Sequence, residues 1–148
     1  MSVPIEIDFA QIRMGNAADP EVFTVICDLT SVSINEGAET STRYRRDCAT
    51  PNKPAMRRSR VQGTFWDVTG TGISNTVQIP TLKAALGVRK NYEIIGYRDD
   101  GTDEGAEIGT WAGEAILTAR NYSVDREGET SMEVTLEGQD ALVYTAAA

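Results

Sequence analysis

A period of two is the feature that most constrains this chain. Thr130, Met132, Val134 and Leu136 alternate with Ser131, Glu133, Thr135 and Glu137. Successive side chains of a strand point to opposite faces, so this stretch offers one apolar face to a core and one polar face to water. Ahead of it, Trp111–Val124 is rich in β-branched and aromatic residues, and Asp125-Arg126-Glu127-Gly128 separates the two as a turn cluster. Residues 111–137 therefore read as one long antiparallel hairpin. Ala141–Tyr144 is expected to return as a further strand. Upstream, Glu21–Cys27, Thr30–Ile34, Arg60–Thr71 and Tyr92–Tyr97 read as strands, the last running into the turn Arg98-Asp99-Asp100-Gly101.

Two segments break this pattern. Pro80–Gly87 has proline near a helix start, glycine past its end, and Leu82, Ala85 and Leu86 at helical spacing. About two turns of helix are expected there, too short to stand alone and held by packing. Residues 36–60 show little periodicity and many turn formers: Gly37, Thr40, Ser41, Pro51, Asn52 and Pro54. They read as a long loop, a length that in a compact domain usually has a function. The fold class is mainly β.

Composition narrows the chemistry. The 148 residues suit a single domain with one core. The net charge is −8 and there is no histidine. Every Ser-His-Asp triad, Cys-His dyad, histidine metal ligand and imidazole proton shuttle is thereby excluded. Cys27 and Cys48 are the only cysteines, too few for a cysteine-rich scaffold or a four-cysteine zinc site. No secretory signal or membrane-length apolar run is evident, so the chain is expected to fold in a reducing cytoplasm, with both thiols acting as small buried hydrophobes. No cofactor or metal is expected. Asp99-Asp100-Gly101-Thr102-Asp103 resembles half a calcium loop but lacks the remaining ligand spacing, and reads as a tight acidic turn.

The charge is segregated. Between Arg43 and Arg60 lie Arg43, Arg45, Arg46, Lys53, Arg57, Arg58 and Arg60, opposed only by Asp47. That segment is +6 and the remainder −14. Asp99, Asp100, Asp103, Glu104 and Glu107 cluster in one loop. A basic loop on one copy can meet an acidic face on the next, a head-to-tail contact that closes into rings or runs on as filaments. The plain alternative is a solvated loop with weak ion pairs. Nucleic-acid binding by the loop, with Tyr44 stacking, is opposed by the surrounding negative charge. Asp67, Glu114, Glu133 and Glu137 on strands could supply the two carboxylates of a glycosidase, given a cleft that raises one pKa. Trp66 and Trp111 could form a sugar-binding platform on a β-sandwich binding module; large aromatics on strands are more often core.

The order of features carries a resemblance. Thr64-Phe65-Trp66-Asp67-Val68-Thr69-Gly70-Thr71-Gly72 precedes the Pro80–Gly87 helix and the Tyr92–Tyr97 strand. Then come Gly109-Thr110-Trp111-Ala112-Gly113-Glu114-Ala115-Ile116-Leu117-Thr118, the 125–128 turn, and Thr135-Leu136-Glu137-Gly138. Over residues 20–145 this resembles the major tail (tail tube) proteins of long-tailed bacteriophages and phage-like gene transfer agents. The resemblance implies two packed antiparallel sheets, a β-sandwich or barrel-like body, with one flanking helix. It implies stacked hexameric rings in a virion tail, assembled in the bacterial host cytoplasm, a non-enzymatic tube through which DNA passes. The implied partners are further copies of the chain, a tape-measure protein, and tail terminator and baseplate proteins. On this reading Arg43, Arg45, Arg46, Lys53, Arg57 and Arg58 meet Asp99, Asp100 and Asp103 between rings. Glu114, Glu133 and Glu137 line a lumen that must not bind the polyanion. Residues 1–20 are expected to be an arm that swaps onto a neighbour.

Overall fold

The computed structural model describes residues 7–18, 20–26, 29–124, 126 and 128–147. Among the described residues eight strands and one α-helix follow in order, the helix preceded by a 3-10 turn at Thr76–Gln78: β1 Phe9–Gly15, β2 Phe23–Val25, β3 Leu29–Arg45, β4 Met56–Ile73, α1 Ile79–Ala85, β5 Arg89–Arg98, β6 Ala106–Ser123, β7 Ser131–Gly138 and β8 Val143–Ala146. All strand pairings are antiparallel, in the order β2-β1-β5-β6-β7-β4-β3, with β8 beside β6.

Hydrogen bonding makes one continuous sheet, where two separate ones were expected. The two packed layers arise because that sheet curls over itself, and β6 carries the fold. The register of β6 with β5 runs from Arg98↔Ala106 to Arg89↔Ile116, and that with β7 from Ala115↔Gly138 to Ser123↔Ser131, slipping between Leu117 and Ala119. A bulge of this kind bends a strand and raises its twist. Across the resulting interior, β1 faces β4. A Cβ on Gly70 would lie 3.2 Å from Ile12 Cδ1 and 3.1 Å from Leu29 Cδ1.

The alternating residues deliver the core as read. Met132, Val134 and Leu136 are buried, together with Ile12, Val68, Ile94, Ala115 and Leu117. Each large aliphatic side chain so buried contributes about 1.5–3 kcal/mol. Helix α1 closes one end through Leu82 and Ala85, with Pro80 in its first turn and Gly87 at φ +76° just beyond it. Arg120 ties it to the sheet by donating to the Ile79 carbonyl, and Gln78 by donating to Val25 O.

Three expectations are corrected. Residues 36–60 are not a loop: they belong to a hairpin in which β3 and β4 pair from Leu29↔Gly72 out to Arg45↔Met56. Of the turn formers, Pro51, Asn52 and Pro54 lie at its tip, whereas Gly37, Thr40 and Ser41 stay in β3, Gly37 beneath the Phe65 ring. Alternation marks a strand only where one face is buried, and the outer half of this hairpin has both faces in water. Residues 9–15 are not a swapping arm. They form β1 between β2 and β5, with Ile12 fully buried; residues 1–6 lie outside the described residues. Cys48 is not buried but exposed and free at the hairpin tip, while Cys27 lies outside the described residues.

Tyr92, on β5, is buried and its hydroxyl has no hydrogen-bond partner among the described residues. Burial disfavours the phenolate and pushes its pKa from 10.0 up to about 12. The folded value lies above the unfolded one, so this contribution is complete below pH 10 and is lost as pH rises through 12. Between those limits each pH unit removes about 1.4 kcal/mol of stability. Alkaline titration followed by phenolate absorbance is expected to show one tyrosine ionising about two units late, together with falling stability. Tyr92→Phe is expected to remove that late step; its persistence in the variant would contradict the assignment.

Candidate functional site

The cations predicted from sequence are brought together by the β3–β4 register. Arg43 pairs with Arg58, Ser41 with Arg60, and Arg45 with Met56. Cross-strand partners share a face, as do residues two apart. Arg43, Arg45, Arg58 and Arg60 therefore crowd one face of the hairpin, and a cavity of about 370 Å³ between them is lined by all four. The opposite face carries Tyr44 beside Arg57, then Thr42 beside Ser59, whose hydroxyls lie 3.2 Å apart. Arg46 and Lys53 sit in the tip, where Arg46 donates to Pro51 O and two successive turns close at Thr50 and Lys53.

Like charges directly opposite one another destabilise a ladder; Asp47 shares a cavity with Arg45 and Arg58, but among the described residues none of these arginines forms an ion pair. Among the described residues a single ion pair forms, Arg89 with Glu114 at 3.1 Å, remote from the hairpin. The outer hairpin is also exposed throughout its apolar residues: Tyr44 is 69% exposed, and Met56 and Val61 are similar. A two-stranded ribbon without a core is marginal by itself.

The acidic turn is built from its own side chains. Asp99 Oδ1 accepts from Gly101 N, and Asp100 Oδ1 accepts from both the amide and the hydroxyl of Thr102. The Thr102 hydroxyl is the leading cause that holds the Asp100 carboxyl below its ordinary pKa. Asp99, Asp100 and Asp103 are exposed and make no ion pair with the hairpin arginines. Among the described residues no group of acids or thiols is arranged to hold a metal.

Sheet register decides which end each feature occupies. β4 pairs with β7 only from Asp67↔Glu137 to Ile73↔Ser131, so the hairpin continues beyond the Gly138 end of β7. β6 lies antiparallel to β7, and its Ala106 end points the same way. The 99–105 turn joins β5 to β6 at that end. The basic hairpin and the acidic turn thus project together, a relation invisible in sequence. The β1–β2 turn, α1 and the β6–β7 turn occupy the other end.

The acids expected to line a channel divide. Glu133 and Glu137 are exposed on the side of β7 turned away from the core, with Glu137 opposite Asp67 and Glu133 opposite Thr71. Thr69, Thr135, Ser33 and Asn35 share that face by register. It is a hydroxyl-rich acidic strip whose row continues through Ile116 to Arg89, the cation that pairs with Glu114. Glu114 is half-buried on β6 and neutralised by Arg89. A pair of hydrolytic carboxylates is not formed in a cleft, because Asp67 and Glu137 lie on an open sheet face. Nor is Trp66 a platform: it is 4% exposed, packed on Gly113 and Gly138, and it donates to Asp140 O. Trp111 packs against the core and tilts against Tyr144 at 4.8 Å.

One feature has no counterpart in the sequence reading. A groove of about 600 Å³ at the turn end is lined by Ile73, Ile79, Tyr122, Val124, Glu129 and Thr130 among others. Its residues come from β4, α1, β6 and the β6–β7 turn, so no local pattern could announce it.

Among solved structures, a chain of the SPP1 tail tube matches with a TM-score of 0.64 at 14% identity, covering 97% of this chain and 80% of that one. The chain has a tail tube fold. A chain in the virion of a native gene transfer agent particle matches with a TM-score of 0.62 at 18% identity, over 97% of this chain and 100% of that one. One in the sheath–tube complex of the PVC extracellular contractile injection system matches at 0.62 and 17%, over 97% and 93%. No protein-family model matches, and no curated protein matches by sequence. Within the tail tube fold, the long hairpin and the acidic strip are the surfaces left unexplained by the monomer.

Proposed function

We propose that this chain is the repeating subunit of a tail tube: a structural, non-catalytic protein that closes into six-membered rings, which stack around a channel for DNA. The observation that carries this reading is the β3–β4 hairpin. A solvent-exposed ribbon with opposed arginines and exposed Tyr44, Met56 and Val61 is poorly stabilised alone and gains by contact with another copy. The tail tube fold supports it, and so does the six-fold symmetry named for the tail of an empty gene transfer agent particle, a chain of which matches at a TM-score of 0.62.

In the assembled tail, Arg43, Arg45, Arg46, Lys53, Arg57 and Arg58 form the inter-ring contact, with Asp99, Asp100 and Asp103 on the same flank of the ring. Glu133 and Glu137, joined by Asp67, line the lumen; Glu114 contributes little net charge there because of Arg89. Each cation on a DNA-facing wall would add counterion-release affinity, so an acidic, hydroxyl-rich wall lets the polymer slide. A tape-measure protein occupies the channel during assembly, and terminator and baseplate proteins cap it. Assembly takes place in the host cytoplasm.

The double variant Arg45→Glu/Arg58→Glu tests the contact. Both residues are exposed, so thermal stability is expected to move by about 0.5 kcal/mol or less, while ring stacking is lost on electron micrographs. Wild-type stacking is expected to weaken near 1 M salt, where the Debye length is about 3 Å. Unchanged stacking in the variant would refute the contact.

A further inference from the structure

The hairpin needs a receiving surface, and we infer that it is the turn-end groove of a second copy, with Tyr44 seated among Ile73, Ile79, Tyr122 and Val124 and Arg57 against Glu129. This rests on the tube reading and names the partner surface of its hairpin.

Three observations lead there. First, the acidic 99–105 turn projects from the same end as the hairpin. In a head-to-tail stack, one end of a subunit meets the other end of the next, so that turn is not where the arginines arrive. Second, the groove is open at the opposite end. β4 itself bears both halves of the contact, Met56 beside the tip and Ile73 in the groove. At ~3.3 Å per residue they lie about 56 Å apart along the strand, so a chain cannot fill its own groove. Third, the chemistries match. The hairpin face that carries Tyr44 also carries Arg57, its cross-strand neighbour. The groove is largely apolar with a carboxylate at its rim, Glu129, and Val124 on its wall is 81% exposed. The Tyr122 ring in it is steadied by the Arg120 guanidinium, 4.9 Å from its centroid. An aromatic ring with an adjacent cation fits an apolar slot with an adjacent acid, the arrangement of an interface anchor.

The hairpin tip supplies its own probe. Cys48 is exposed and free, and a disulfide requires Cα atoms within about 7 Å. In the full-length chain, assembled and then mildly oxidised, Val124→Cys in the groove and Val77→Cys, exposed next to the groove residue Thr76, are expected to give a ladder of multimers on non-reducing gels. Adding Cys48→Ser is expected to abolish it. Tyr44→Ala and Glu129→Lys, tested singly, are each expected to raise the protein concentration needed for tubes by about tenfold or more. Tubes that form normally while both groove cysteines stay monomeric overturn the groove assignment and leave the tube reading intact. So does a ladder from Asp103→Cys in place of the groove positions, or one that survives Cys48→Ser. A wild-type chain that forms no tubes under any condition overturns both.

Discussion

Replacing residues 39–63 by Asn-Gly will leave a folded protein that no longer stacks. Ala38 and Thr64 are cross-strand partners, so a two-residue type I′ turn can join them without changing the register below. The excised ribbon contributes no core residue; Trp66 and Val68, which do, lie beneath the cut. Stability is therefore expected to fall by about 1 kcal/mol or less, and the cooperative melt to persist. Tube formation is expected to vanish, because the surface proposed to contact the next copy is gone. Circular dichroism melting together with electron microscopy reads both halves. An unfolded product would mean that the ribbon belongs to the folding unit, and persistent tubes would mean that stacking uses other surfaces.

Trp66→Ala is expected to have the largest effect on stability, about 3–5 kcal/mol, or about 10 °C in melting temperature for a domain of this size. The indole fills the space over two glycines. A Cβ at Gly113 would approach its Cζ2 to 2.7 Å, and one at Gly138 would come closer still. Removing the ring leaves a cavity there and strands the Asp140 carbonyl, which accepts from Nε1. Trp66 also stands where β4 parts from β7 and the hairpin begins. Its loss is expected to loosen the root of the hairpin as well as the core. A change below about 1 kcal/mol on chemical denaturation would contradict this packing role.

These residues also explain what could be read in advance. Val134 and Leu136 gave themselves away because one side of β7 is buried and the other is wet. Pro80 and Gly87 marked α1 by their own backbone constraints. β1 carries the same alternation in Ala10, Ile12 and Met14, but the run is short and its longer partner β5 is distant in sequence. The outer hairpin could not be recognised as strand: with both faces in solvent, its composition follows charge and contact, not burial. Charge segregation was legible by counting. The pairing of Arg43–Arg58 with Asp99–Asp103 was drawn from sign alone. Only the strand order puts those groups at one end and opens Ile73, Tyr122, Val124 and Glu129 into a groove at the other.

The central claim is that this chain builds a stacked tube by itself. Negative-stain electron microscopy of the purified full-length chain over a range of protein and salt concentrations tests it most directly. The account predicts six-fold rings in end view and uniform tubes in side view, growing with concentration and dissolving at high salt. A protein that stays monomeric across the whole range, with neither rings nor tubes, would contradict it.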